Sequence, residues 1–332
     1  MDKLHRSLHA QLVAAGCFRK APLHAFIAAS LILGGYASAY FALLTDPGPE
    51  LRAAALIAAA FFTVQAGFLG HEASHGAITR RRALAEIIGQ IFQTLLGALS
   101  YSYFRATHRQ HHPHSNDRSR DPDMQSGFVS LYRESACEKR GLGRLTGRYQ
   151  AVLIWMLVWL QGFTLKFENL HHVNRNLRTS HTEQALLAAH YALWLAPPTL
   201  TLGIAATLVN YGILTALIGF YTGAVLLVNH IGTRVIEPGE SLSHFEHQLA
   251  VTRNLGSSRL QDIFFGGVNH HIEHHLFPSI PTARLRIARA ITREFCRRHG
   301  IAYREMSWLA AACEVTRHLQ AITDQQMEAN HA

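Results

Sequence analysis

Three groups of histidine, called boxes here, have spacings that suit metal binding. His271, His274 and His275 stand at i, i+3 and i+4, so their side chains can share one face of a helix. Two boxes upstream have the same character, one at i and i+4 and the other repeating the i, i+3, i+4 pattern. The first box is His71 and His75, and the second is His108, His111 and His112. One such pair is often a solvated surface feature, but three in one chain predict a metal site.

Eight imidazoles exceed the roughly four to six ligands that one ion accepts, so two ions with open positions for a small molecule are predicted. Neutral imidazole binds zinc, copper, iron and nickel, and ligand type therefore does not select the metal. Carboxylates near the boxes are candidates to orient imidazole N–H groups, and two asparagines are candidates to hold a metal-bound water. The carboxylates are Glu72, Asp121, Asp123 and Glu273, and the asparagines are Asn229 and Asn269.

The composition indicates a membrane protein. Hydrophobic residues make up 48% of the 332 residues and charged residues only 16%, against roughly 25% charged residues in soluble domains. The formal charge is +9, but arginine and lysine are concentrated in particular segments, which favours membrane topology over nucleic-acid binding. No nucleic-acid partner is expected.

Four apolar runs are long enough to cross a bilayer, which takes about 20 residues. They are residues 23–44, 51–70, 185–208 and 211–228, and they form two hairpins with turns at 45–50 and around Asn210. Two further runs, 86–104 and 149–167, are shorter or interrupted. Metal ligands must lie within a few ångströms of one another. If 86–104 crossed the membrane, the second box would lie on the opposite side from the first. Both of these runs are therefore predicted to be interfacial helices.

The predicted fold is an all-α integral membrane protein, a single domain over residues 1–332 with four transmembrane helices. All boxes and both termini lie on the arginine-rich side, which is cytoplasmic by the positive-inside rule. Residues 1–21 resemble an amphipathic helix on the membrane surface. The C-terminal segment 230–332 is predicted to be a cytoplasmic helical cap over the metal site, with helices from Thr282 to about Gly300 and from Arg304 to about Gln320.

These motifs resemble the membrane fatty acid desaturase family, and most closely its front-end acyl desaturase branch. The resemblance rests on the order HxxxH, HxxHH, HxxHH and on the sequence around the boxes, and it covers about residues 50–290. The supporting segments are Ser100-Tyr101-Ser102, Asp121-Pro122-Asp123, Gln248-Leu249-Ala250-Val251-Thr252-Arg253-Asn254, Phe264-Phe265-Gly266-Gly267 and His271-Ile272-Glu273-His274-His275-Leu276-Phe277-Pro278.

The resemblance implies a non-haem centre of two iron ions, with O₂ as co-substrate, that removes two hydrogens from the acyl chain of a lipid or acyl thioester. It also implies one more ligand after the last span, His230, and no catalytic residue beyond the metal centre. The implied ligands are His71, His75, His108, His111, His112, His230, His271, His274 and His275.

The chain departs from the front-end pattern in two respects. Many front-end members have glutamine where His271 stands, and many contain a fused cytochrome b5 domain with a His-Pro-Gly-Gly motif that does not occur here. A separate electron donor is therefore expected, either a ferredoxin or a cytochrome b5 with its reductase.

Two alternatives share parts of this pattern. A hydroxylase, acetylenase or ketolase acting on a lipid or carotenoid would use the same boxes, and only its product would differ. A membrane metal transporter would normally carry ionisable groups deep within its spans, whereas His24, Arg52 and His190 all stand toward span ends.

Overall fold

The structure is a computed structural model that describes residues 3–46, 48–125, 129–175 and 181–331. These residues form helices and no strands, which confirms the all-α prediction. A π-helical turn, Gln90–Leu95, and a 3-10 turn, Pro122–Met124, accompany the α-helices. In chain order the α-helices of the described residues are α1 (Lys3–Ala14), α2 (Pro22–Leu44), α3 (Pro49–Ser74), α4 (Arg82–Gly89), α5 (Tyr101–His114), α6 (Arg133–Glu138), α7 (Leu142–Arg148), α8 (Gln150–Arg175), α9 (His181–Leu202), α10 (Ile204–His230), α11 (His244–Val251), α12 (Arg259–Phe264), α13 (His271–Leu276), α14 (Thr282–Arg298) and α15 (Trp308–His331).

Five of these helices are long and apolar enough to cross a membrane: α2, α3, α8, α9 and α10. The sequence predicts four spans and treats the run 149–167 as an interfacial helix. The helix that contains it, α8, continues for two further turns to Arg175. Large apolar side chains such as Phe26 and Leu31 are exposed along α2, as expected of a surface that faces lipid.

The second predicted hairpin turns at a different residue from the one expected. The break between α9 and α10 is at Gly203, whose φ of +83° is readily available to glycine. Asn210 instead lies inside α10 and is buried. A single polar residue does not end a helix when its side chain faces neighbouring helices, so the predicted span limits of 208 and 211 were wrong.

The segment 86–104 is not one interfacial helix. After α4 the backbone passes through the π-helical turn and then leaves the helix, with Ala98 at a φ of +54° before α5 begins. The polar residues of this segment point inward: Thr94 donates to Gln90 through its hydroxyl and accepts from the Tyr101 backbone N–H. Inward polar groups that cap the next helix divide this run into two helical pieces.

The leucine stripe of helix α1, predicted to face a membrane surface, packs on the cap. Leu8 and Leu12 are fully buried in a cluster with Phe245 of α11 and with Leu285 and Phe295 of α14. The periodic leucines predicted a helix correctly, but its partner is protein. An apolar helix stripe suits either environment, and the sequence does not distinguish them.

The cap helices are attached to the long helices. Helix α14 agrees with the predicted limits, whereas α15 begins at Trp308 instead of Arg304 because Glu305 pairs with Asn254 in an extended bridge. The indole of Trp308 donates to the Ala224 carbonyl at 2.8 Å, and that of Trp155 donates to Thr316 at 3.0 Å. These contacts fix the cap over one end of α8 and α10.

Candidate metal centre

The ends of three helices and the short helix α13 bring the box histidines and His230 together. His71 lies in the last turn of α3, and His75 follows that helix directly. The second box occupies the last turns of α5, and His230 is the last residue of α10. The third box forms the short helix α13, which is entirely buried. The helices therefore place imidazoles from separate parts of the sequence close together.

Five histidines form one group, called the five-histidine group: His71, His75, His108, His112 and His274. Ring nitrogens of these residues all lie within 4.8 Å of one another. The Nε2 of His108 is 2.9 Å from the Nε2 atoms of both His71 and His112, and 3.0 Å from that of His75. The Nε2 of His274 is buried and has no hydrogen-bond partner among the described residues. Convergent imidazole nitrogens with an orphaned buried atom fit a metal ion.

His111, His230 and His275 form a second group, called the three-histidine group, with ligand atoms again within 4.8 Å. The Nε2 of His230 is 3.2 Å from that of His111 and 2.7 Å from that of His271, so His271 adjoins this group. The rings of His112 and His275 stack at 4.3 Å, which places the two groups side by side. The donor set fits two neighbouring ions.

Three imidazoles of the second group are oriented through their outer nitrogens. The Nδ1 of His111 lies 3.0 Å from Asp121 Oδ1, and that of His230 donates to the Val251 carbonyl at 2.9 Å. The Nδ1 of His275 is 2.9 Å from Gln248 Oε1. A hydrogen held at Nδ1 leaves the Nε2 lone pair directed toward the group, as metal-ligating histidines require.

Of the four predicted orienting carboxylates, two contact an imidazole. Asp121 does so from a buried position, while Asp123 lies 3.2 Å from His111 Nδ1 with its side chain 71% exposed. Glu72 instead accepts from the Thr282 backbone N–H at the start of α14. Glu273 accepts from Asn254 and Tyr303, both at 2.8 Å, in a network behind the third box. The last two carboxylates thus hold the cap and not the imidazoles.

Neither predicted asparagine hydrogen-bonds to an imidazole. Asn229 donates to the Val225 carbonyl at 2.9 Å, and its buried Oδ1 has no hydrogen-bond partner among the described residues. Asn269 donates to Asp262 and to the Gly256 carbonyl. A water-holding role for Asn229 or Asn269 stays a prediction.

Residues that lack the box spacing supply much of the support around the centre. Asn116 donates to the His230 carbonyl at 3.2 Å and to Thr233 at 2.9 Å, which fixes the chain after α10. Gln248 joins the second box to the third. Gln248 begins a segment that carried the family resemblance, but its contacts depend on tertiary packing that spacing does not reveal.

Electrostatics favour neutral imidazoles in most of the centre. Burial, together with the neighbouring imidazoles, lowers the pKa of His108, His112 and His274 well below the ordinary value. Burial also acts to lower the pKa of His111, but Asp123 and Asp121 outweigh it and raise this pKa. Neutral imidazole is the form that binds metal.

A small cavity of about 20 Å³, enough for about one water molecule, adjoins the five-histidine group. It lies between the end of α3, the Gly266-Gly267 turn and the start of α14. His71, His75 and His274 form part of its wall. A water-sized molecule in this cavity would lie against three of the five imidazoles.

The chain thus combines helices that are apolar enough to cross a membrane with two adjoining histidine groups that could hold metal ions. The chain belongs to the fatty acid desaturase family, because residues 47–307 match the family model described as fatty acid desaturase. The resemblance inferred from the boxes is thereby confirmed, and the protein is an integral membrane protein.

Three similar proteins illustrate the relationship. The chain is 24% identical over 294 residues to Delta(8)-fatty-acid desaturase 2 of Arabidopsis thaliana, covering 81% of this chain and 63% of the relative. It is 24% identical over 318 residues to the acyl-lipid 8-desaturase of Rebecca salina, covering 92% and 71%. It is 25% identical over 354 residues to a Delta 8-(E)-sphingolipid desaturase of Kluyveromyces lactis, covering 97% and 59%. The chain thus spans roughly three fifths to seven tenths of these relatives' length.

Proposed function

We propose that the protein is a membrane-bound, O₂-dependent desaturase that introduces a double bond into a fatty acyl chain or related lipid, with two non-haem iron ions. The observation that carries this proposal is the pair of adjoining imidazole groups in a member of the fatty acid desaturase family. The proposed iron ligands are nine histidines. Five form the five-histidine group, three form the three-histidine group, and the ninth is His271, which adjoins the three-histidine group. In chain order they are His71, His75, His108, His111, His112, His230, His271, His274 and His275.

The bound irons would supply O₂ activation and removal of two hydrogens from the acyl chain. O₂, two electrons and two protons are consumed as the chain loses two hydrogens, and two waters form. Electrons come from a ferredoxin or a cytochrome b5 with its reductase. The protein's own residues bind the ions through imidazole, orient His111 through Asp121, and exclude water by burial.

We also propose that the chain forms one membrane domain in which α2, α3, α9 and α10 cross the bilayer, while α8 lies obliquely against them. Helix α8 is about 39 Å long, so a full crossing would take its ends to opposite sides. Its first half instead contacts the cap through Trp155, and Asn169 and His172 contact residues Ser100 and Tyr103 near the start of α5. Both of these neighbours belong to elements that carry or cover the box histidines, which supports this arrangement.

The histidine groups and both termini would then share one side of the membrane. That side also holds Arg80, Arg81 and Arg82 and the arginines of α14, so we assign it to the cytoplasm by the positive-inside tendency.

The test combines metal analysis with product analysis. Purified protein in detergent is assayed for iron, and lipids of a host producing wild type, His274→Ala or His270→Ala are examined by mass spectrometry. His270 is a matched control, because it is buried in the same segment and its side chain bonds Asp262, while only its backbone carbonyl, which the substitution keeps, bonds a member of the histidine groups. About two irons per chain and new unsaturation in wild type and His270→Ala, lost in His274→Ala, are expected.

Other products would change the conclusion. Oxygenated or acetylenic products would favour the hydroxylase, acetylenase or ketolase alternative on the same scaffold. Zinc without iron, together with unchanged lipids, would contradict the proposed lipid oxidation and favour the metal-transporter alternative.

A further inference from the structure

Gln248 joins the second and third boxes through its side-chain amide. It lies on α11 and is fully buried. Its Nε2 donates to the His112 carbonyl at 2.7 Å, and its Oε1 lies 2.9 Å from His275 Nδ1. A backbone carbonyl only accepts hydrogen bonds, so the amide nitrogen must face His112. The amide oxygen is thereby fixed toward His275.

This orientation decides which nitrogen of His275 carries the hydrogen. An amide oxygen cannot donate, so Nδ1 of His275 must be the donor in this contact. Ser115 Oγ lies 3.2 Å from the same Nδ1 and donates its own hydrogen to the His111 carbonyl at 2.9 Å, so it also presents a lone pair. Both neighbours therefore select the same tautomer.

The consequence falls on Nε2 of His275. This atom is buried and has no hydrogen-bond partner among the described residues. Its ring lies 4.8 Å from the ring of His230 and 5.3 Å from that of His111. With the hydrogen held at Nδ1, the lone pair of Nε2 is available to the three-histidine group.

We propose that Gln248 is a positioning residue that holds His275 in the tautomer able to bind the metal ion of the three-histidine group. This inference rests on the proposed two-ion centre and deepens it, since Gln248 acts only through His275. Loss of an orienting partner of a metal-bound histidine weakens metal binding by about 10- to 100-fold. A loss of that size is expected for one of the two ions.

Two substitutions separate positioning from mere structural support. Gln248→Met removes both hydrogen bonds, whereas Gln248→Glu keeps an acceptor oxygen for His275 and gives up the amide donor to His112. Gln150→Met is the matched control, because Gln150 is equally buried and bonds the Ser130 N–H and the Leu319 carbonyl, far in sequence from the boxes. Far-UV circular dichroism and size-exclusion chromatography in detergent check that each variant is folded.

The experiment titrates Fe(II) into metal-free protein under anaerobic conditions, in the presence of a competing chelator, and counts ions bound per chain. Gln248→Met should bind one ion as wild type does and the other about 10- to 100-fold more weakly. Gln248→Glu and Gln150→Met should both bind two ions with affinities close to those of wild type.

Four results would overturn the inference. Unchanged affinity for both ions in Gln248→Met would show that His275 needs no such partner. Equal weakening in Gln248→Glu would assign the effect to the His112 bond, and equal weakening in Gln150→Met would assign it to general destabilisation. A wild type that binds no second ion would instead refute the proposed two-ion centre, and this inference with it.

Discussion

Replacing Asp121 with asparagine is expected to weaken metal binding at the three-histidine group. Asp121 is buried, with its carboxylate oxygens 3.0 and 3.2 Å from His111 Nδ1. The same carboxylate accepts from the backbone N–H groups of Asn116 at 2.7 Å and Asp123 at 3.0 Å. Burial acts to raise the pKa of Asp121, but the hydrogen bonds and charge of its partners outweigh it and lower the pKa. The carboxylate is therefore ionised at neutral pH.

The size of the effect follows from the number of donors around Asp121. Three N–H groups converge on two oxygens, and asparagine offers only one oxygen plus an amide nitrogen that cannot accept. At least one buried N–H then loses its acceptor, at a cost of about 1–3 kcal/mol of folding free energy. If His111 loses its orienting partner, metal affinity should fall about 10- to 100-fold, or about 1.4–2.7 kcal/mol.

The assay measures iron retained per chain against increasing chelator, alongside thermal unfolding in detergent. Asp117→Asn is the matched control, because Asp117 is buried in the same loop and its carboxylate bonds Ser119 and Arg120. Both variants should lower the melting temperature, but only Asp121→Asn should release one ion early. Equal iron loss in both variants, or none in Asp121→Asn, would refute the reasoning.

Two further predictions concern acid and the cavity wall. Since the pKa of His111 is raised while that of His75 is lowered to about 4, falling pH protonates His111 first. Iron should therefore leave the three-histidine group at a higher pH than the five-histidine group, and loss of both ions in one step during an acid titration would contradict this. Gly267→Ala should destabilise the fold by about 2–5 kcal/mol, since the φ is +84° and the new Cβ would lie 2.6 Å from Thr282 Cγ2. Gly239→Ala is the matched control, because Gly239 has a similar φ of +87° but no atom lies within 4 Å of an added Cβ. An equal fall in melting temperature for both variants would show that the clash with Thr282 does not contribute.

The sequence determined the elements whose signals are local. Long apolar runs revealed α2 and α3, because crossing a bilayer requires about 20 apolar residues whatever the neighbours are. The i, i+3, i+4 spacing revealed the box histidines, because helical geometry alone places them on one face. Family motifs then indicated His230, which has no spacing of its own.

Tertiary packing determined the features whose signals are not local. The apolar stripe of α1 fits a membrane surface as well as a protein surface, and only the position of α14 assigned Leu8 and Leu12 to the cap. In segment 86–104, buried polar residues such as Thr94 and Gln90 bond one another where the run is divided into two helical pieces. The turn between α9 and α10 lies at Gly203 and not near Asn210, where the sequence predicted it.

The division of the boxes between two groups is the clearest case. His111 and His112 are neighbours in sequence, as are His274 and His275, yet each pair is split between the three-histidine and five-histidine groups. Successive residues on a helix point about 100° apart, so neighbours face different partners. Which partners they meet depends on helix ends that lie over a hundred residues away in the chain, and only the folded structure brings these together.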